Sequence, residues 1–330
     1  MELERPMLPV LVNVSIAASR PFPALLFDGK VMALAHWRGD GLRGTSSMIE
    51  LLEDWTVNVH RLTRLCRSEA THALIAQQGA ELSAFRLHAP VVPRQVYCTI
   101  GNYRCQVLQA ALDADGGICE AARREAVVAS IETRRRDGAP YVCLKGSASV
   151  SGPFDRLSIE AGLSTLDWEA EIGVVIGTTA RSVEVEDAFG CVAGYCVVND
   201  LTARDRVIRT EVPTLGSDWL QSKSRNGWLP TGPWLVPAWS VDDPSALRPW
   251  LRLNGELMQN GVASNMIFGI AEQIAYLSTQ TTLYPGDLIC TGTPAGIGSH
   301  YGRYLRAGDI VEAGVSELGA QRVVCVDSTN

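Results

Sequence analysis

LDWEAEIGVVIG, residues 166–177, decides how the rest of the chain is read. Glu169 and Glu171 stand one position apart in a run that otherwise has the character of a strand. Side chains alternate faces along a strand, so both carboxylates point to one side. Ala170 and Ile172 point to the other, toward a core. Two carboxylates side by side on a half-buried surface repel each other unless something positive lies between them. A hard divalent cation meets that need with oxygen ligands alone. A second strand-like run, YCVVND at residues 195–200, ends in an acid just past its apolar residues, where a strand end can aim a third ligand. The expectation is an all-oxygen metal site made of Glu169, Glu171 and Asp200. The same spacing also suits the solvent face of a two-sided sheet, and Asn199-Asp200 also suits a turn.

Three further stretches follow in order: GYCVVNDLTARD (194–205), SKSRNGWLPTGPW (222–234) and GDLICTGTPAGIG (286–298). Together with EAEIGVVIG (169–177) they resemble the fumarylacetoacetate hydrolase family, from about Val96 to Val326. The resemblance implies an α+β, mainly β fold. A mixed β-roll or sandwich catalytic domain would span 91–330, with a lid at about 102–140 and a smaller N-terminal α+β domain over 1–90. It implies that Glu169, Glu171 and Asp200 hold Mg²⁺ or Mn²⁺, with Ca²⁺ as a further option. Lys145 would border the active site and Arg204 would lie near a substrate carboxylate, a group that a guanidinium fork suits. Lys223, two residues after Gln221, would touch metal ligands and substrate oxygens, and the Thr293 loop would contact substrate. Asp167 would support the ligands from behind.

The lid departs from the pattern. Asn102-Tyr103-Arg104 matches the segment that opens the family's lid, which carries a His and, three residues on, a Glu to activate water. Those positions are Gln106 and Gln109 here. A glutamine amide cannot accept a proton near neutral pH, so neither can be a general base. His300, just downstream of the Thr293 loop, is a candidate replacement; Glu120 and Glu125 are others, although a solvated helix explains them as well. A second departure is Lys223-Ser-Arg225-Asn226, where the family continues Lys-Ser-Phe-Asp.

The whole chain narrows the classes. It has 330 residues, 46% of them hydrophobic, enough for a substantial core. A net charge of −7 lacks the basic footprint of nucleic-acid binding. No apolar run reaches the ~18 residues that span a bilayer. The start, MELERPMLPVLVNVSIAAS, is only faintly like a signal peptide: Glu2 and Glu4 precede Arg5, and Pro9 and Asn13 interrupt the apolar part. Nine cysteines with no C-x-x-C read as free buried thiols of a reducing compartment, hence a cytoplasmic protein. Five histidines without metal spacing argue against zinc.

In chain order, 23–37 reads as two strands about an Asp-Gly turn, 47–66 as a helix, 96–100 and 141–145 as strands. Residues 119–136 read as an amphipathic lid helix whose terminal Arg134-Arg135-Arg136 complements the macrodipole. A hairpin turns at Asn254-Gly255, and a helix starts at Met266. The functional expectation is a metal-dependent hydrolase that cleaves a C–C bond in a β-diketo acid, acylpyruvate- or fumarylpyruvate-like, through a metal-stabilised enolate, as in aromatic catabolism. It would take a small keto acid and work as a homodimer, with no nucleic-acid or membrane partner. The missing lid base also fits a decarboxylase or isomerase of a 2-oxo acid, which needs no activated water. An inactive keto-acid binder is a third reading, opposed by the retained Glu169, Glu171, Asp200 and Lys223.

Overall fold

The computed structural model describes residues 8–114 and 120–328. Cys119, and residues 1–7 of the faintly signal-like start, lie outside them. The apolar part of that start is a fully buried strand, Val10–Ser15, in an N-terminal five-stranded sheet.

The run that opened the sequence reading becomes the strand Ala170–Ile176, every residue of it buried. It sits inside a six-stranded sheet, paired antiparallel with Val192–Asn199 on one side and Leu288–Cys290 on the other. Val96–Thr99 and the edge strand Val142–Lys145 continue the sheet beyond. The apolar run is continuous because both faces are covered. On one face Ala170, Ile172, Val174 and Ile176 pack with Leu251, Val311, Ala313 and Val323 of a second, five-stranded sheet. On the other, Val175, Val198 and Cys290 share a cluster with Leu11, Leu25, Leu51 and Trp55 of the N-terminal unit. Leu11 and Leu235 exchange backbone hydrogen bonds at 3.0 and 2.9 Å, so the N-terminal sheet is tied to the large one through main chain as well as core. Mixed α and β elements in stacked sheets give the α+β architecture expected.

Both expected turns form where Gly and its neighbour accept positive φ: Asp28 (46°) with Gly29 (76°), and Asn254 (52°) with Gly255 (87°). Three elements differ from the sequence reading. The helix at 47–66 is two helices, Met48–Glu53 and Trp55–Cys66. They break at Asp54 (φ −95°, ψ 21°), with Leu51, Leu52, Trp55 and Leu62 all buried across the break. The helix expected from Met266 begins at Ile270, because Ile267 and Phe268 lie in a bend pinned by Asn102. The Ile267 N–H donates to the Asn102 carbonyl (2.6 Å) and the Phe268 N–H to Asn102 Oδ1 (3.0 Å). The lid helix runs Glu120–Asp137, but Ala122 and Ala126 are exposed and only Ile131 is fully buried, against Ile267 and Phe268. Its arginines do more than balance a dipole. Arg134 donates to the Gly101 carbonyl at 2.6 Å, and Arg135 pairs with Glu272 at 2.7 Å. They fasten the helix end beside Asn102. No helix among the described residues is long and apolar enough to cross a membrane, and the eight described cysteines are all free.

Candidate metal centre

Antiparallel register brings the three acids together. Ala170 pairs with Asn199, so the next rung sets Glu169 opposite Asp200, and the Asp200 N–H donates to the Glu169 carbonyl at 2.9 Å. Directly opposed residues share a face. Glu169, Glu171 and Asp200 each offer an oxygen within 4.8 Å of the others, and all three are buried, at 7%, 1% and 1% exposure. Six-coordinate oxygens at about 2.1–2.4 Å from one ion are separated by no more than about 4.8 Å, so the spacing fits a hard cation.

Around them is a shell of charge. Lys145, at the end of the edge strand, donates to Asp200 Oδ1 (2.7 Å) and to the carbonyls of Leu201 and Trp228 (3.1 and 2.7 Å). Lys223, at the end of the helix Trp219–Lys223, donates to Asp200 Oδ2 (2.6 Å), Glu169 Oε2 (3.1 Å) and Thr202 Oγ1 (2.7 Å). Arg204 Nε donates to Asp167 Oδ2 at 2.7 Å. Its Nη2 forms an ion pair with Glu169 Oε1 at 2.8 Å. Asp167, fully buried, also accepts from the N–H groups of Trp168, Gly298 and Ser299.

Counting formal charges, four acids (Asp167, Glu169, Glu171, Asp200) face three cations (Lys145, Lys223, Arg204). The unit of negative charge left over belongs to Glu171, which accepts from the Gly292 N–H at 2.7 Å through Oε2. Burial pushes the Glu171 carboxyl well above its ordinary range, and Asp200 and Glu169 push it further. Burial would also raise Asp200, but Lys145 and Lys223 outweigh it and hold that carboxyl well below the usual range. Burial alone would lower Lys223, yet Asp200 and Glu169 raise it instead. Glu171 must therefore take a proton or meet a cation. Nearby, the Tyr103 hydroxyl is buried with no hydrogen-bond partner, and burial, then Glu171, raises its pKa well above normal.

The other sequence candidates are placed as follows. Thr293 closes over the strand: its hydroxyl donates to the Ala170 carbonyl (3.0 Å) and accepts from Gln259 Nε2 (2.8 Å). Its side chain thus holds the loop against the strand. Gln109 Oε1 accepts from the Gly296 N–H at 2.7 Å, and Gln106 beside it is half-buried. Arg104 pairs with Glu132 on the second lid helix. Gln221 is exposed. His300 Nδ1 meets Asp113 Oδ2 at 2.8 Å, at a partly exposed position. Glu125 is exposed, and the Glu120 side chain lies outside the described residues. Sequence reasoning missed Thr202, Asn199 and Gln259. Asn199 Oδ1 accepts from the Glu169 N–H (2.9 Å), and Gln259 Oε1 from the Ala170 N–H (3.0 Å). Asn199 stood beside the predicted ligand and could have been named; nothing in the sequence marks Gln259.

Comparison with known proteins places the chain in a family. A family model described as fumarylacetoacetate (FAA) hydrolase C-terminal matches residues 95–326. The chain is 41% identical over 186 residues to the 2,4-didehydro-3-deoxy-L-rhamnonate hydrolase of Sphingomonas sp. (strain SKA58), covering 56% of this chain and 64% of that one. It thus spans a little under two thirds of the length of the curated relatives it matches. Among solved structures, fumarylacetoacetate hydrolase from the psychrophilic Exiguobacterium antarcticum superposes with a TM-score of 0.72 at 26% identity, over 96% of this chain and 99% of that one. The 2-hydroxyhepta-2,4-diene-1,7-dioate isomerase of Mycobacterium marinum gives 0.60 at 26% identity, over 78% and 83%. With most of its length matched by one family model, the chain belongs to the fumarylacetoacetate hydrolase family.

Proposed function

We propose that the protein is a divalent-metal-dependent hydrolase that cleaves a C–C bond in a β-diketo acid of the acylpyruvate kind. The observation that carries the reading is the buried triad Glu169, Glu171 and Asp200, in a cluster whose acids exceed its cations by one negative charge. Family membership supports it, as do the hydrolase and isomerase names of its relatives. The triad would hold Mg²⁺ or Mn²⁺, with Ca²⁺ also within its donor set. When bound, such an ion supplies Lewis-acid polarisation of the substrate's carboxylate and 2-oxo oxygens.

The chain's own groups do the rest. Lys145 and Lys223 keep Asp200 ionised and fixed, so that it is a ligand at every working pH. With a divalent ion added, the local balance becomes positive by one unit, which favours an anionic substrate. Tyr103 offers an unclaimed hydroxyl donor beside Glu171. Arg204, fastened by Asp167, fixes Glu169 and gives the pocket wall a guanidinium.

A second reading is favoured by one specific observation. Gln109 is engaged with the Gly296 N–H, and an amide at Gln106 takes up no proton. Water activation is the step that most needs a base, so decarboxylation or isomerisation of a 2-oxo acid demands least of this lid. Purified protein with Mn²⁺, offered acetylpyruvate, fumarylpyruvate and oxaloacetate with products identified, separates the readings. Pyruvate plus a second acid is expected from the first two. CO₂ release from oxaloacetate alone would replace hydrolysis with decarboxylation, and no turnover with or without metal would overturn both.

A further inference from the structure

Cysteines line one row across the large sheet. Strand register sets Cys196 opposite Gly173, Gly173 opposite Cys290, Cys290 beside Cys98, and Cys98 opposite Cys143. Residues so paired share a face. Gly173 offers no side chain, so Cys196 stands apart, and Cys290, Cys98 and Cys143 form a line on adjoining strands. All three are buried in the cluster that joins the sheet to the N-terminal unit. A single buried thiol is a small apolar filler. Here the thiols of Cys143 and Cys290 both donate to Cys98. Burial alone would raise the Cys98 thiol, yet these two donors outweigh it and bring it down to about 6. Cys143 is pushed far up in return, by Cys98 first and then by burial. Cys98 is thus the nucleophile of the line, and Cys143 keeps its proton.

Geometry selects the partner. The Ile100 N–H donates to the Tyr141 carbonyl at 2.8 Å, so those two residues are a hydrogen-bonded antiparallel pair. Two positions along, Cys98 and Cys143 are another. The Cα atoms of such a pair lie about 5.5 Å apart, inside the range that a disulfide spans, while the Cβ atoms lie about 1 Å farther apart than the bond prefers. The strand Val142–Lys145 is at the edge of the sheet and can close that gap, whereas Leu288–Cys290 is held between two strands. Cys143 also keeps 8% exposure, against 0% for Cys98 and Cys290, and its neighbour Leu144 is exposed. The edge is where a small oxidant enters. Lys145, two residues beyond Cys143 on the same face of the strand, donates to Asp200 at 2.7 Å.

We propose that Cys98 and Cys143 are a peroxide-oxidised pair, whose disulfide draws the edge strand inward and pulls Lys145 from Asp200. The Cys98 sulfur attacks the O–O bond of hydrogen peroxide. A sulfenic acid forms, and the departing hydroxide leaves as water with the proton that Cys98 gave up. The Cys143 sulfur then attacks the sulfenic sulfur; the S–S bond forms, the S–O bond breaks, and a second water leaves with the Cys143 proton. Two thiols are oxidised by two electrons and one peroxide is reduced to two waters. The effect on the metal rests on the functional reading above; the disulfide does not.

The test treats the metal-free full chain with a small excess of hydrogen peroxide, blocks the remaining thiols and maps the peptides. Each chain should lose two titratable thiols and yield a peptide pair joined through Cys98 and Cys143, separated again by dithiothreitol. Calorimetric Mn²⁺ affinity should fall about tenfold on oxidation, the scale of losing a group that holds a metal ligand, and return on reduction. Cys143→Ser should give no cross-link and keep its Mn²⁺ affinity through the same treatment; the peptide map of the parent decides the pairing even if that variant does not fold. A cross-link to Cys290 instead, oxidation of Cys98 without a cross-link, or no loss of thiols overturns the pair. A Cys98–Cys143 cross-link with unchanged Mn²⁺ affinity overturns the pull on Lys145. Untreated protein that binds no Mn²⁺ overturns the metal reading, and the peptide map then still decides the disulfide.

Discussion

Replacing Glu171 with Gln probes the charge imbalance on which the metal assignment stands. The substitution keeps shape and one oxygen ligand but removes the one buried carboxylate that no cation faces, leaving three acids against Lys145, Lys223 and Arg204. A unit charge pair at about 4 Å is worth about 4 kcal/mol at an effective dielectric near 20, so a divalent ion loses up to about 8 kcal/mol. Two effects offset most of this. The amide oxygen still coordinates, and in the parent the ion must first displace the proton that burial places on Glu171. A net loss of about 3 kcal/mol, roughly 10²-fold in affinity, is the expectation. The sign of the pH effect follows. Glu171 has a raised folded pKa, so its contribution to the apo fold is fully present below its unfolded pKa and is lost as pH rises through the folded value. Metal binding to the parent should therefore strengthen as pH rises toward the raised Glu171 value, with release of the proton that Glu171 holds below it. The variant should show neither the release nor the steep rise. Titration calorimetry with Mn²⁺ in two buffers of different ionisation enthalpy measures both. Unchanged affinity with no difference in proton release would refute the charge argument, whatever the activity.

Three other outcomes are expected. Gln106→His combined with Gln109→Glu should raise acylpyruvate cleavage, because a carboxylate at 109 can still accept from the Gly296 N–H; no gain in pyruvate formation means that another base already operates. If that base is the His300–Asp113 pair, whose Nδ1 contact leaves Nε2 open, then His300→Ala should lower turnover by about 10²-fold with Mn²⁺ affinity intact; a wild-type rate removes it from the mechanism. Asp309 is pulled below its ordinary range: burial opposes this, but Asn254, the Arg306 N–H and Arg303 prevail. Its stabilisation is present above the unfolded pKa of about 3.9 and fades as pH falls through the folded value. Asp309→Asn should cost about 1 kcal/mol at pH 7 by urea unfolding, with the gap closing in acid.

What the sequence made legible was local or periodic. Alternation placed Glu169 and Glu171 on one face, and an acid at the end of a second strand could be guessed as their partner; that the two strands are antiparallel neighbours came from the structure. Asn-Gly and Asp-Gly turns needed only positive φ. What stayed hidden depends on partners far along the chain. Gln259 supports Ala170 from 89 positions away, and Asn102 holds Phe268 from 166. Neither residue belongs to a periodic pattern, because one amide satisfying buried backbone leaves no trace in composition. Lys145 shows the intermediate case: a lysine at a strand end was visible, but its burial against Asp200 needed the edge strand's place in the sheet.

The lid explains why the family's catalytic positions can read as glutamine without the segment falling away. Cys105, Gln109 and Asp113 recur at four-residue spacing, so they share one face of the helix Arg104–Asp113. Each meets the segment that follows Thr293. The Ala295 N–H donates to Cys105 Sγ at 3.4 Å, the Gly296 N–H to Gln109 Oε1 at 2.7 Å, and Asp113 holds His300 at 2.8 Å. The Gly298 and Ser299 N–H groups of that segment contact Asp167, and just ahead of Thr293 the Gly292 N–H contacts Glu171. The glutamine at 109 thus serves the metal centre through main chain instead of through a proton. If that were the whole of its function, Gln109→Ala would loosen the loop and weaken Mn²⁺ binding. Gln109→Glu would preserve the clamp and Mn²⁺ affinity alike. Equal metal affinity in all three proteins would mean that the loop needs no such clamp, and the loss of the acid would then have to be explained by the reaction alone.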